Sequence, residues 1–198
     1  MPTEPDVVMF GAHFAKSVVN DYLEYDIPTR LTRYRNAWSV DDYTLPDPQK
    51  YLVYEPIALD HWPTLITVVI STNSFDRLMN YGSGDPLYRV SYSMRTYIWA
   101  KTEGSEEVTL MRDRLSTVVR SSLLDSPCMK GINDPTVDVM LDESTVREEF
   151  SDLTLIKGER VLAGAYVGYD LSINELIYRQ PVGGINAIDA EFYNMRGT

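Results

Sequence analysis

Asp60 and His61 stand side by side, and a histidine next to a carboxylate is the smallest pair that could do general acid–base work. On an extended strand, however, neighbouring side chains leave on opposite faces, so adjacency alone does not make these two a dyad. The other histidine, His13, falls in a helical pattern and reads as a packing or partly solvated residue. Two histidines are too few for a multi-histidine metal centre. Asp142, Glu143, Glu148, Glu149 and Asp152 gather carboxylate oxygens of the kind calcium takes. Their spacing lacks the DxDxDG pattern and its glycine, so the cluster reads instead as an acidic loop facing solvent or a partner. Gly82 and Gly84 in YGSGDP resemble part of a phosphate loop, but no GK[ST] follows and the tract leads into a strand rather than a helix. Ser116 and Ser121 lie in a helical stretch, and GxSxG does not occur. The expectation from these residues is a protein without catalytic, cofactor-binding or metal-binding side chains, and not an enzyme.

The elements that would position any site are clearer. From residue 88 onward, Tyr88, Val90, Tyr92, Met94, Ile98 and Ala100 alternate with Arg89, Ser91, Ser93 and Arg95, the period of a half-buried strand. A second alternation puts Val161, Ala163, Ala165, Val167, Tyr169, Leu171 and Ile173 opposite Gly164, Gly168, Asp170, Ser172 and Asn174. Between them, Val108, Met111, Leu115, Val118, Val119 and Ser122 form one helical stripe over residues 106–124, with Arg112, Asp113, Thr117 and Arg120 turned away. Ser105, Glu106 and Glu107 at its start and Arg120 in its last turn suit the helix dipole. A helix across a sheet of long antiparallel strands follows.

Towards the N-terminus, Glu4, Pro5 and Asp6 suit a helix start, and Val8, Ala12, Ala15, Val19 and Leu23 carry a helix to about Glu24. Pro28 is expected to end or kink it, with a second short helix over residues 29–38. Residues 40–50, with Pro46 and Pro48, read as a loop. Residues 51–59 are β-like but hold Pro56, which places them at an edge. TLITVVIST, residues 64–72, is a β-branched run expected in the centre of the sheet. Val137, Val139 and Leu141 alternate with Asp138 and Met140 as a further strand or one arm of an excursion. Residues 151–156 and the strand from Arg160 flank Lys157, Gly158 and Glu159, a tight hairpin turn. Residues 1–177 thus read as a single α+β domain with an N-terminal helical segment, and residues 178–198, from Tyr178, as an extended C-terminal arm.

The chain has 198 residues and is 44% hydrophobic, enough for one core of ordinary size. Its formal charge of −11 argues against a surface that grips phosphate, because nucleic-acid affinity rests on Lys and Arg. Cys128 is the single cysteine, which precludes an intrachain disulfide and suits a reducing setting. No apolar run approaches the roughly 20 residues that span a bilayer, and MPTEPD lacks the features of a signal peptide. A soluble, unexported protein is the expectation.

One stretch breaks the half-wet pattern. After Arg95 the polar face of its strand turns aromatic at Tyr97 and Trp99, while Ile98 and Ala100 keep the other face apolar. Either the N-terminal helix packs there as a second core layer, or the surface meets another protein, since aromatics and Arg are enriched at interface centres.

YRVSYSMRTYIWAK from Tyr88, EEVTLMRDRLSTVVRSSLL from Glu106, and FSDL with RVLAGAYVGYDLSINE from Arg160 together cover about half the chain. In order and texture this strand, helix and late strand after an N-terminal helix resemble the tail-terminator, or tail-completion, proteins of long-tailed bacteriophages. The resemblance implies a virion protein, assembled in the host cytoplasm, that forms a hexameric ring on the tail tube. It implies that the ring stops tube growth and joins the head connector, and that DNA passes through it without tight binding. Its partners would be its own copies, the tail-tube protein and the connector, with no membrane. On that reading the candidate interface residues are Arg95, Tyr97, Trp99, Glu148, Glu149, Lys157, Arg160 and Tyr178. A different neck, connector or tube-like virion component, or a small cytosolic enzyme or ligand-binding domain, are the alternatives.

Overall fold

The computed structural model describes residues 11–56, 58–80, 86–130, 138–151, 155–157 and 160–176. Its elements run α1 (Ala12–Trp38), β1 (Lys50–Leu52), β2 (Thr64–Asn80), β3 (Pro86–Thr102), α2 (Ser105–Asp125), β4 (Cys128–Lys130), β5 (Asp138–Phe150), β6 (Leu155–Lys157) and β7 (Arg160–Leu176). The strands form one sheet in the order β1-β2-β3-β7-β5-β4, with β6 on β7. Among the described residues only β1 and β2 run parallel, so the sheet is mixed and the fold is α+β, with both helices packed on the sheet.

The two alternating segments become the central pair. β3 and β7 match residue for residue from Leu87↔Leu176 to Thr102↔Val161. On their inner face Val90, Tyr92, Met94, Ile98 and Ala100 meet Val161, Ala163, Val167, Tyr169, Leu171 and Ile173 in one core with the helices. The polar members of this face are satisfied, as burial requires. Thr67, Thr96 and Tyr169 form a chain of hydroxyls, at 3.2 Å from Thr67 to Thr96 and 2.9 Å from Thr96 to Tyr169. Tyr92 donates to Glu175 Oε1 at 2.7 Å, with both residues buried.

α2 buries the expected stripe, with two differences. Arg112 is buried rather than turned away. Its guanidinium lies over the Phe150 ring at 5.2 Å and donates to the Ser151 carbonyl at 3.1 Å, so the charge is lodged against the end of β5. The helix also runs on to Asp125, which leaves Arg120 short of the last turn.

α1 is one helix, not two. Pro28 sits inside it, and the expected break does not occur. Proline within a helix costs about 3 kcal/mol, but Ile27 and Leu31 on either side are both buried, while Pro28 itself faces solvent. A polar seam to α2 holds the same region. Arg30 donates to Asp26 at 2.6 Å and to Asp125 at 2.8 Å, and Ser122 donates to Asp26 at 2.6 Å. Tyr22 donates to the Ser122 carbonyl at 2.8 Å. The expected start of this helix at Glu4 lies outside the described residues.

β2 also departs from expectation. Thr64, Leu65, Ile66, Thr67 and Val68 are buried, but β1 flanks β2 only from Thr64 to Ile66. Beyond that point β2 is the margin of the sheet among the described residues, and β3 and β7 hold the centre. α1 contacts β1 and β2 at one margin and β4 at the other, so the sheet curls around it.

Candidate interaction surface

The outer face of the sheet is built by the alternate residues of the same central strands. Cross-strand pairing lays them in rows: Ile66, Tyr97, Tyr166 and Glu149 in one, Val68, Arg95, Gly168 and Arg147 in the next. Arg95, Tyr97 and Trp99 are half-buried there, not covered by a second layer of helix, because α1 and α2 both pack on the inner face. The Arg95 guanidinium lies 4.3 Å from the centre of the Tyr166 ring, the geometry of a cation–π contact. The Tyr97 and Tyr166 rings are 5.4 Å apart at 58°.

Trp99 lies flat over Gly164, its cross-strand partner. A Cβ at Gly164 would come within 2.9 Å of the indole, so glycine is what lets the ring settle onto the sheet. The hydrogen bond from the Tyr166 hydroxyl holds the Glu149 carboxyl below its usual range, and the same bond raises the Tyr166 hydroxyl. The Tyr97 hydroxyl next to Arg95 strengthens its hold on the proton.

Glu148 does not belong to this surface. Its side chain is only 12% exposed, paired with Arg120 and accepting from Ser116 Oγ at 2.7 Å, so it faces α2. The cause is a bulge in β5. Asp142 pairs with Asp170 and Arg147 with Gly168, so residues 143–146 stand opposite the single residue Tyr169. Before the bulge Val139 and Leu141 point inward; after it the inward phase passes to Glu148, and Glu149 points out, 51% exposed and 3.4 Å from Arg147. The expected acidic loop is therefore a strand with its carboxylates divided between two faces, and among the described residues no group of three potential ligands could hold a metal ion. Asp152, Gly82, Gly84 and Tyr178 lie outside the described residues. The backbones of Lys157 and Arg160 pair and close the expected hairpin.

The chemistry candidates resolve individually. Asp60 and His61 lie in irregular backbone rather than a strand and approach to 3.6 Å, contrary to the expected divergence; both are exposed. Ser116 donates to Glu148, and Ser121 accepts from Arg30 at 3.2 Å. His13 is exposed on α1.

Concavities open at the end of β3 and beside the aromatic strip. A cleft of about 460 Å³ is lined by residues that include Tyr43, Trp62, Lys101, Leu110 and Arg114; His61 is not among them. Lys101 and Arg114 there lie over Trp62 and Trp38, at 5.3 and 5.7 Å. A shallower hollow of about 280 Å³ is lined by Glu55, Pro56, Leu59, Ile66, Tyr97 and Trp99.

Sequence reasoning missed Tyr166, Arg147 and the wall formed by Pro56 and Leu59. Tyr166 was readable, as an aromatic on the polar phase of a strand between Gly164 and Gly168. Arg147 was not, because its direction depends on the bulge. Among the described residues no helix is long and apolar enough to cross a membrane. No protein-family model matches the chain, and no curated protein matches its sequence.

Proposed function

We propose that this chain is a structural virion protein that assembles into a ring, a hexamer by the family resemblance, at the head-proximal end of a phage tail tube. There it ends tube polymerisation and offers the surface that joins the head connector. The observation that supports this reading most is the outer sheet face. Arg95, Tyr97, Trp99 and Tyr166 form a half-buried cationic and aromatic strip on the two longest-paired strands, the composition of a protein-binding surface. The order strand, helix, strand, with α2 laid across β3 and β7, agrees with the resemblance. With a formal charge of −11, the chain also suits a ring that lets DNA pass without retaining it.

The test is to add purified protein to polymerising tail-tube protein of the virus that encodes it and image the products. Tubes capped at one end and arrested at uniform length are expected, and the capped end should be the one that accepts heads. Tubes that keep growing, with the protein located elsewhere in the particle, would reject this reading in favour of another neck or tube-like component. Truncation before Tyr178 should weaken ring formation or tail attachment; unchanged assembly would remove the arm from the proposal.

A further inference from the structure

The outer strip already holds one cation of its own. Arg95 lies 4.3 Å from the centre of the Tyr166 ring, and Tyr166 donates to the Glu149 carboxylate, so a guanidinium, an aromatic ring and a carboxylate gather at one place. A ring face carries the negative part of the aromatic quadrupole, and a carboxylate beside it adds a full charge.

At the other end of the row Ile66, Tyr97, Tyr166 and Glu149, the same two components recur without the cation. The hollow there is lined by the rings of Tyr97 and Trp99, the carboxylate of Glu55, and the aliphatic Pro56, Leu59 and Ile66. Glu55 is the single charged residue of this lining; it is exposed and makes no ion pair among the described residues. The nearest cations along the strand are engaged elsewhere: Arg95 over Tyr166, and Lys101 over Trp62 at 5.3 Å, and neither lines the hollow. Both rings are set in advance, Trp99 resting on Gly164 and Tyr97 standing in its row between Ile66 and Tyr166, which lowers the cost of ordering them on binding. At about 280 Å³ the hollow falls below the range of about 300–1,000 Å³ usual for small-molecule sites and suits one side chain.

We propose that this hollow is an aromatic cage for a lysine or arginine side chain presented by a basic segment of a partner protein. An apolar occupant would strip water from Glu55 and return nothing for it, and an anion would meet both the carboxylate and the ring faces. A formal charge of −11 draws basic partners toward the whole molecule, and the cage gives their charge a place to settle. The proposal rests on the outer sheet face being the docking surface and names the chemistry of what docks there.

The test uses purified full-length protein with ¹⁵N-labelled indoles, the Trp99 N–H resonance being assigned by its loss in Trp99→Phe. N-acetyl-lysine amide and N-acetyl-arginine amide are titrated against N-acetyl-norleucine amide, an uncharged probe of similar length, at fixed ionic strength. The charged probes should shift the Trp99 signal saturably with a Kd on the order of millimolar, and norleucine should bind at least about threefold more weakly. Glu55→Gln and Tyr97→Leu, both outside the core, should each weaken the charged probes about two- to fivefold. Equal shifts by norleucine, or charged-probe binding untouched by Glu55→Gln, overturn the proposal, as does a Trp99 signal that no probe moves. Tube capping by a protein whose Trp99 signal no probe moves would sink the cage and leave the virion role standing. Probe binding by a protein that never caps tubes would do the reverse.

Discussion

The two faces of β3 and β7 are made by the same residues taken alternately, yet they obey different rules. The inner face is largely apolar, closed by two helices, and its hydroxyls are satisfied within it. The outer face is half-open, and its aromatic rings are paired with guanidinium and carboxylate groups. Stability should therefore reside on one side of the sheet and recognition on the other, and substitutions a single residue apart should separate the two.

The largest effect is expected from Leu171→Ala, which empties a fully enclosed inner position and should cost about 2–5 kcal/mol in denaturant unfolding. A loss below about 1 kcal/mol would mean that the inner face is not the main source of stability.

Next comes the response to alkali. Burial raises the Tyr169 and Tyr51 hydroxyls well above their ordinary value, and burial together with Glu175 does the same for Tyr92. A group whose pKa is raised by folding favours the folded state at low pH. The unfolded chain loses its phenolic protons near pH 10 while the folded chain keeps them, so stability should fall as pH rises past about 10, by up to 1.4 kcal/mol per unit for each such group. In a spectrophotometric titration these three of the 14 tyrosines should ionise only with unfolding. If all titrate together in the folded protein, the inner face is wetter than described.

On the outer face, Gly164→Ala forces the Trp99 indole off the sheet and should cost about 1–3 kcal/mol. Combined with Trp99→Ala the cost should largely vanish, a coupling that a double-mutant cycle would measure. Additive losses would show that the ring does not rest on Gly164.

The finest separation is between adjacent carboxylates. Glu148→Ala removes the partner of Arg120 and Ser116 and should cost about 1–2 kcal/mol, while Glu149→Ala should leave the unfolding midpoint where it is. Equal effects would break the division between the faces.

Much of the inner face was legible in the sequence because a period of two needs no knowledge of the partner strand. Val90 to Ala100 and Val161 to Ile173 fall on it as expected, as does the α2 stripe. Three features were not legible, each for a tertiary reason. α1 passes Pro28 because Ile27, Leu31 and the Arg30 seam outweigh the missing hydrogen bond. The residues of β2 promised a central strand, but only its first few are flanked on both sides. Glu148 turned inward because a bulge reset the phase, and bulges leave little trace in composition. The outer strip was half legible: Arg95, Tyr97 and Trp99 stood out by type, while Pro56 and Leu59 reached it only through the chain path after β1.

α1 touches strands at both margins of the sheet, β1 and β2 on one side and β4 on the other. It acts as a mandrel: the sheet is wound on a rod whose thickness, about 10 Å with side chains, sets the radius of the winding. Among the described residues the two margins share no hydrogen-bonded ladder, so the rod links them through packing. Thinning the rod by replacing Leu23 or Ile27 with alanine would slacken both margins at once, far from the substitution and from each other. A change on the helix would then reach the margin of β2 as a change in how that edge is presented.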